Sequence, residues 1–163
     1  MVFKLAPGSE LTVLHGFTGL ADGGVPEAGV VLDSAGNLYG CTNQGGQGAG
    51  VVYRISASGG FAVLYAFTGG ADGGNPFGGV VLDPSGNIYG TAANFGQLAD
   101  GSQGEGVVFE LSPAGSYSVL YIFAGGADGS GPQGALTRDS AGNLYGATGF
   151  GGPPSCTTWC GVV

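Results

Sequence analysis

Basic side chains are almost absent from this chain: three Lys and Arg stand against eleven Asp and Glu, for a formal net charge of -8. Such an excess repels phosphate backbones and anionic bilayers over the Debye range, which sets nucleic acid aside as a partner. Histidine is reduced to one residue, His15. A hydrolytic triad needs a His as base, and His15 aligns with Tyr65 and Tyr121 of later repeats, so it reads as a packed or edge residue of an outer strand and no catalytic residue is assigned. Long apolar runs are missing too. The longest, Phe61 to Phe67, has seven residues, against the roughly 20 of a membrane-spanning helix, so no membrane insertion is expected. Met1-Val-Phe-Lys-Leu5 lacks the charged, apolar and cleavage regions of a signal peptide, but it begins inside a repeat, so a leader could have been cut away.

Charged residues make up only 9% of the chain, and hydrophobic ones 43%. The chain is therefore not disordered by the charge criterion, and its polar surface has to come from Ser, Thr, Asn, Gln and exposed backbone. Cysteine is scarce, with three residues. Cys156 and Cys160 are separated by three residues in a Gly- and Pro-containing loop without a nearby His, which favours a short disulfide over a metal site and hence an oxidising compartment; Cys41 is left as a free thiol on a strand.

Glycine is what the chain has in abundance. With 38 Gly and 8 Pro there is no room for long helices, and many short strands are expected. One unit organises them. Gly79-Val-Val-Leu-Asp-Pro-Ser-Gly-Asn-Ile-Tyr-Gly90 is preceded by a copy at 29–40 and followed by a looser one at 135–146. Each reads as strand, tight turn, strand, the Asp (Asp33, Asp83, Asp139) accepting from turn amides and the Gly-Asn pair closing a hairpin. Asn37, Asn87 and Asn143 put the period at 50 residues and then 56, with six extra residues between Thr91 and Val107 where a surface loop tolerates them.

Around the hairpin lie two further strands per repeat: Val2 to Leu5 with Leu11 to Phe17, Val51 to Ile55 with Phe61 to Phe67, and Val107 to Leu111 with Tyr117 to Phe123. Both alternating sets in Phe61-Ala-Val-Leu-Tyr-Ala-Phe67 are apolar, which predicts a strand covered on both faces. Tyr39, Tyr89 and Tyr145, like Phe3, Tyr53 and Phe109, recur at fixed positions and are expected to fill the space between repeats. Four antiparallel strands per repeat of this length indicate an all-β protein of the β-propeller type, with a β-solenoid as runner-up. In that architecture residues 2–28 supply strands c and d of a split blade, 29–67 and 79–123 are whole blades, and 135–163 supply strands a and b.

Gly-Asn-Leu-Tyr-Gly, a Gly-rich loop, Gly-Val-Val-Phe-Glu-Leu-Ser-Pro-Ala-Gly, Val-Leu-Tyr-x-Phe and Gly-Gly-Ala-Asp-Gly together resemble the GloVer tandem repeat of bacterial surface or secreted proteins. The Asp-x-x-Gly-Asn-x-Tyr hairpin is also similar to the NHL repeat, a propeller family in which it forms the two inner strands of a blade. The third copy departs, Thr137 and Arg138 replacing Val81 and Leu82. The resemblance implies an extracellular repeat protein and no settled chemistry.

Function is carried, if anywhere, by the loops. Asp22, Asp72 and Asp128 lie in the crossings between strand d and the next strand a, with Asn75 in the second, while Asp100 and Glu105 lie in a b-to-c loop. Both loop types leave a propeller on one face. The repeated aspartates read first as turn caps; calcium is a candidate ion for them, with one carboxylate per loop toward the ~6 to 8 oxygens it requires. Phe95, Phe150 and Trp159 stand where repeat packing does not require them, and aromatics beside Asn, Gln and Asp grip sugars. The reading is an extracellular module for binding or structural assembly, with a carbohydrate or protein ligand on the loop face. The alternative is a carbohydrate-active hydrolase or lyase using carboxylates among Asp72, Asp100, Glu105 and Asp128. Because the chain opens at strand c and stops as the next strand c begins, a head-to-tail homo-oligomer sharing blades is expected, most simply a two-fold ring of six, unless the chain is a fragment of a longer repeat protein.

Overall fold

The computed structural model describes residues 1–152 and 160–163. Its described residues form strands, turns and loops without a helix. In chain order the strands are β1 (Val2–Leu5), β2 (Leu11–His15), β3 (Val31–Leu32), β4 (Leu38–Thr42), β5 (Val51–Ile55), β6 (Phe61–Ala66), β7 (Val80–Leu82), β8 (Ile88–Ala92), β9 (Val107–Leu111), β10 (Tyr117–Ile122), β11 (Thr137–Arg138) and β12 (Leu144–Tyr145). They pair antiparallel with their sequence neighbours into four sheets, β1-β2, β3-β4-β5-β6, β7-β8-β9-β10 and β11-β12.

Each inner hairpin is closed by its aspartate. Asp33 Oδ1 accepts the amides of Ala35 (2.9 Å) and Asn37 (2.8 Å), while Oδ2 accepts Asn37 Nδ2 (2.8 Å) and the Tyr39 hydroxyl (3.1 Å). Asp83 and Asp139 repeat the pattern with Asn87 and Asn143. Gly36, Gly86 and Gly142 supply the left-handed residue of the turn, with φ of 83°, 85° and 96°. These hydrogen bonds, led by that from Asn37, hold the Asp33 carboxyl below the usual carboxylate range, and those from Asn143 bring Asp139 down to about 2. Tyr39, Tyr89 and Tyr145 thus lean back on their own turns, and Arg138, the polar residue of the third copy, places its guanidinium 6.0 Å from the Tyr89 ring centre.

The core lies between sheets. Tyr53 and Phe109, 1% and 0% exposed, lay their rings over Gly40 and Gly90, the residues opposite them on the neighbouring strand. A Cβ at Gly90 would stand 2.6 Å from Phe109 Cζ. The preceding sheet covers the other side of these rings, with Phe17 5.1 Å from Tyr53 and Phe67 5.3 Å from Phe109 between centroids. Farther out, His15 stacks on Phe61 at 3.7 Å and Tyr65 on Tyr117 at 4.1 Å.

The strand expected to be covered on both faces is an edge strand. In β6 Val63 is exposed and its neighbours are only half-buried. Leu64 is an extra residue, since Tyr53 pairs with Val63 and Val52 with Tyr65. The bulge swaps the parity of side chains beyond it. Phe61 and Ala66 therefore pack against one cluster, with Tyr53, and Leu64 and Tyr65 against the other, with Phe109. The expected strands through Phe17, Phe67 and Phe123 also end earlier, at His15, Ala66 and Ile122, and the first strand of the hairpin at 29–40 is confined to Val31–Leu32.

Candidate functional site

The crossings between sheets and the loops inside sheets meet on one face. Backbone bridges join Gly24 to Gln44, Gly74 to Asn94 and Ser130 to Phe150, and the Gly96 amide donates to Gly70 O at 3.0 Å. Asp22, Asp72 and Asp128 sit in the three crossings and accept hydrogen bonds there. Asp72 accepts the Thr68 amide (2.8 Å), the Thr68 hydroxyl, the Gly70 amide (3.2 Å) and, from strand β6, the Tyr65 hydroxyl (2.9 Å). Asp22 takes the Thr18 amide and hydroxyl and faces His15 Nε2 at 3.3 Å; Asp128 takes the Ala124 amide (2.8 Å) and the Tyr121 hydroxyl (3.1 Å). Each aspartate latches its crossing to the strand before it. Hydrogen bonding, from the Thr18 hydroxyl foremost at Asp22 and from the Ala124 amide at Asp128, holds both carboxyls low; at Asp72 partial burial pulls up, and donors from Thr68 and Tyr65 outweigh it.

Asn75 is engaged between repeats, donating to Asn43 O (2.8 Å) and accepting from Asn94 Nδ2 (3.1 Å). Among the described residues no three His, Cys, Asp or Glu gather as a metal centre, so a cation at the repeated aspartates would have one carboxylate per crossing. Asp100 caps the tip of the inserted loop, accepting the Ser102 amide (2.9 Å) and hydroxyl (2.6 Å), which hold its carboxyl low. Glu105 belongs to the next crossing: its amide donates to Phe123 O (2.8 Å), and a Cβ on Gly125 would stand 2.8 Å from its Cγ. The four carboxylates are thus distributed along two crossings and a loop tip. A glycosidase acid requires a raised carboxyl, whereas Asp72, Asp100 and Asp128 are all lowered.

Phe95 is different. Its φ is 67°, in the left-handed region, and the corresponding positions of the other repeats are Gly45 (80°) and Gly151 (86°). Its ring lies against Gly69 and Gly74, where a Cβ would stand 3.6 Å and 3.0 Å away. Beside it the insertion folds back, Gln97 bridging Gln103 and the Leu98 amide donating to Ser102 O (2.9 Å). Phe95, Gln97, Ser102 and Gln103 line a cavity of about 240 Å³ that also touches Gly70 and Ala71. The residue pattern pointed to Phe95; the two glutamines and Ser102 were signalled only by lying in the insertion. Phe150 is exposed beside Gly131 in the third repeat. Trp159 and Cys156 lie outside the described residues, and with them the expected bridge to Cys160. Cys41 is a buried free thiol whose Sγ donates to Pro76 O at 3.3 Å.

A search of the curated proteins finds no match to the chain. Among solved structures it is similar to the X-ray structure of a structural-genomics target described as a gluconolactonase candidate, with a TM-score of 0.51 and 18% identity over 88% of this chain and 48% of that one. At that identity the likeness carries the fold alone, and this chain spans about half of that structure's length. The sequence itself matches the Gloeobacter/Verrucomicrobia repeat over residues 1–158, in keeping with the threefold hairpin, crossing and loop just described, and the chain belongs to that repeat family.

Proposed function

We propose that this chain is an extracellular module of a propeller-type array, its sheets serving as blades, and that it binds carbohydrate at the Phe95 cavity on the loop face. The observation that carries the reading is the backbone of Phe95. A bulky side chain in the left-handed region is costly, of order 1–3 kcal/mol, and the other two repeats avoid that cost with glycine. What the strain brings is an aromatic ring on the wall of a cavity lined also by two carboxamides and a hydroxyl. An aromatic face receives the apolar C–H side of a sugar ring, and carboxamides both donate to and accept from its hydroxyls. The net charge of -8 favours a neutral glycan over an acidic one.

Glycan-array binding, followed by titration of the best ligand, tests this together with Phe95→Gly. The variant takes the residue the other repeats use, so it should fold without the backbone strain while binding the glycan at least tenfold more weakly. Equal affinity of the variant, or an array without a glycan ligand, overturns the reading. Release of reducing sugar from a bound glycan would instead support the hydrolase.

A further inference from the structure

Charge is divided unevenly between the two ends of the sheets. Lys4, Arg54 and Arg138, the three basic side chains of the chain, stand at the ends of β1, β5 and β11 that run into hairpin turns. The opposite end, the loop face, carries Asp22, Glu27, Asp72, Asp100, Glu105 and Asp128 and neither lysine nor arginine. The Phe95 cavity lies among these carboxylates, its residues Gly70 and Ala71 leading into Asp72 and its residues Gly101 and Ser102 following Asp100. Against partial burial at Asp72, donors from Thr68 hold that carboxyl low, and the Ser102 hydroxyl does the same at Asp100, so both are ionised at neutral pH. The cavity wall is also short of donors. The amides of Gly69, Gly70, Gly96 and Gly101 are given to Gly73 O (3.2 Å), Asp72 Oδ1 (3.2 Å), Gly70 O (3.0 Å) and Leu98 O (2.9 Å). Ser102 gives Asp100 Oδ1 both its amide (2.9 Å) and its hydroxyl hydrogen (2.6 Å). A serine hydroxyl has one hydrogen, so Ser102 Oγ has only lone pairs left for a ligand.

Given that the cavity binds carbohydrate, as proposed above, we infer that its sugar carries free amines: the ligand class is a cationic amino sugar, of which a glucosamine oligomer is the simplest representative. An ammonium brings three donors and no acceptor, which suits Ser102 Oγ and the carboxamide oxygens of Gln97 and Gln103 in the lining. Its charge is drawn to an acidic face on which no lysine or arginine opposes it. The π face of Phe95 attracts a cation as well as the C–H groups of a sugar ring. Acetylation of the amine reverses each of these. The charge is lost, one amide donor remains, and a carbonyl acceptor is added for which Ser102 has no hydrogen left.

Calorimetric titration with a glucosamine oligomer, its fully N-acetylated counterpart and a lysine oligomer, at about 0.02 and 0.2 M salt, separates charge from sugar and both from the cavity. At low salt the glucosamine oligomer should bind at least about fivefold more tightly than the acetylated one, and the gap should narrow at high salt as exposed charges are screened. Phe95→Gly should weaken both sugars. Asp100→Ser keeps an oxygen to cap the Ser102 turn but drops the charge, and it should narrow the gap by roughly two- to fivefold, the scale of one exposed ion pair. Equal affinity for the two sugars, tighter binding of the acetylated one, or a gap that Asp100→Ser leaves unchanged overturns the amine preference while carbohydrate binding stands; binding of neither sugar removes both readings. A lysine oligomer bound as tightly as the glucosamine oligomer, with Phe95→Gly affecting neither, would make the loop face a diffuse attractor of cations and likewise overturns the proposal.

Discussion

The aromatic-over-glycine contact can be tested by one methyl group. Ala at position 90 places its Cβ 2.6 Å from Phe109 Cζ, 2.9 Å from Cε1 and 3.0 Å from Gly79 O. None of these can retreat easily: Phe109 is fully buried, with Phe67 at 5.3 Å and Tyr117 at 5.7 Å on its other sides. Overpacking of this kind costs about 1–3 kcal/mol. In a chain of this size each kcal/mol moves the midpoint by roughly 2–4 °C, so Gly90→Ala should melt about 2–12 °C lower. Gly146→Ala is the control. Its Cβ meets only Leu136 Cδ2, at 2.7 Å, the free end of a flexible side chain, and the change should stay within about 0.5 kcal/mol. Both are measured by thermal and urea unfolding at one fixed protein concentration, so that any association enters every midpoint alike. Phe109→Leu removes the ring atoms that clash, and a double-mutant cycle with Gly90→Ala should show coupling above about 0.5 kcal/mol. A Gly90→Ala chain melting within about 1 °C of its reference, or a Gly146→Ala chain falling as far, refutes the reasoning.

Acid should unfold the protein through its hairpin turns. Asp33, and Asp139 at about 2, titrate lower folded than unfolded, so the unfolded chain takes up protons first; stability is full above about pH 4 and lost as pH falls toward about 2. Midpoints that stay level between about pH 5 and pH 2 would contradict this, and Asp139→Asn should flatten the fall. Burial pushes the Cys41 thiol up to about 12, so native protein should resist a thiol reagent at mildly alkaline pH; denatured without reductant it should show one thiol if Cys156 and Cys160 are bridged, and three would dismiss the bridge. At Asp22 and Asp72 both carboxylate oxygens already accept donors that calcium would have to displace, so midpoints with millimolar calcium and with chelator should agree; a calcium-dependent rise would assign the crossings as ion sites.

The hairpins were legible because Asp, Gly and Asn at fixed offsets have one local solution, and the same three residues return at each copy. Beyond the turn, legibility fell wherever the partner was distant. Gly40 and Gly90 are two among 38 glycines, and only pairing brings Tyr53 and Phe109 over them. The apolar alternation of Phe61 to Phe67 reads as one strand covered twice, whereas the extra residue at Leu64 divides it between two clusters. The repeated aspartates were legible as caps of their own crossings, but the hydroxyls of Tyr65 and Tyr121 that reach them come from seven residues earlier, on a strand whose direction sequence spacing does not reveal. Phe95 could be singled out as an aromatic without a counterpart; that it replaces a left-handed glycine becomes visible only with its backbone beside those of Gly45 and Gly151.

Because Phe17 rests on Tyr53 and Phe67 on Phe109, the side chains that complete one sheet's core are always lent by the sheet before it. Such a stack behaves as a row of coupled units, each stabilised by its nearest neighbours. Opening should then begin at the ends and travel inward, so amide exchange should be fastest in β1–β2 and β11–β12 and slowest around β8 and β9, where Ile88, Ala92, Val107, Phe109 and Leu111 are all buried. Adding repeats to such a row would protect the outer sheets without altering a residue in them.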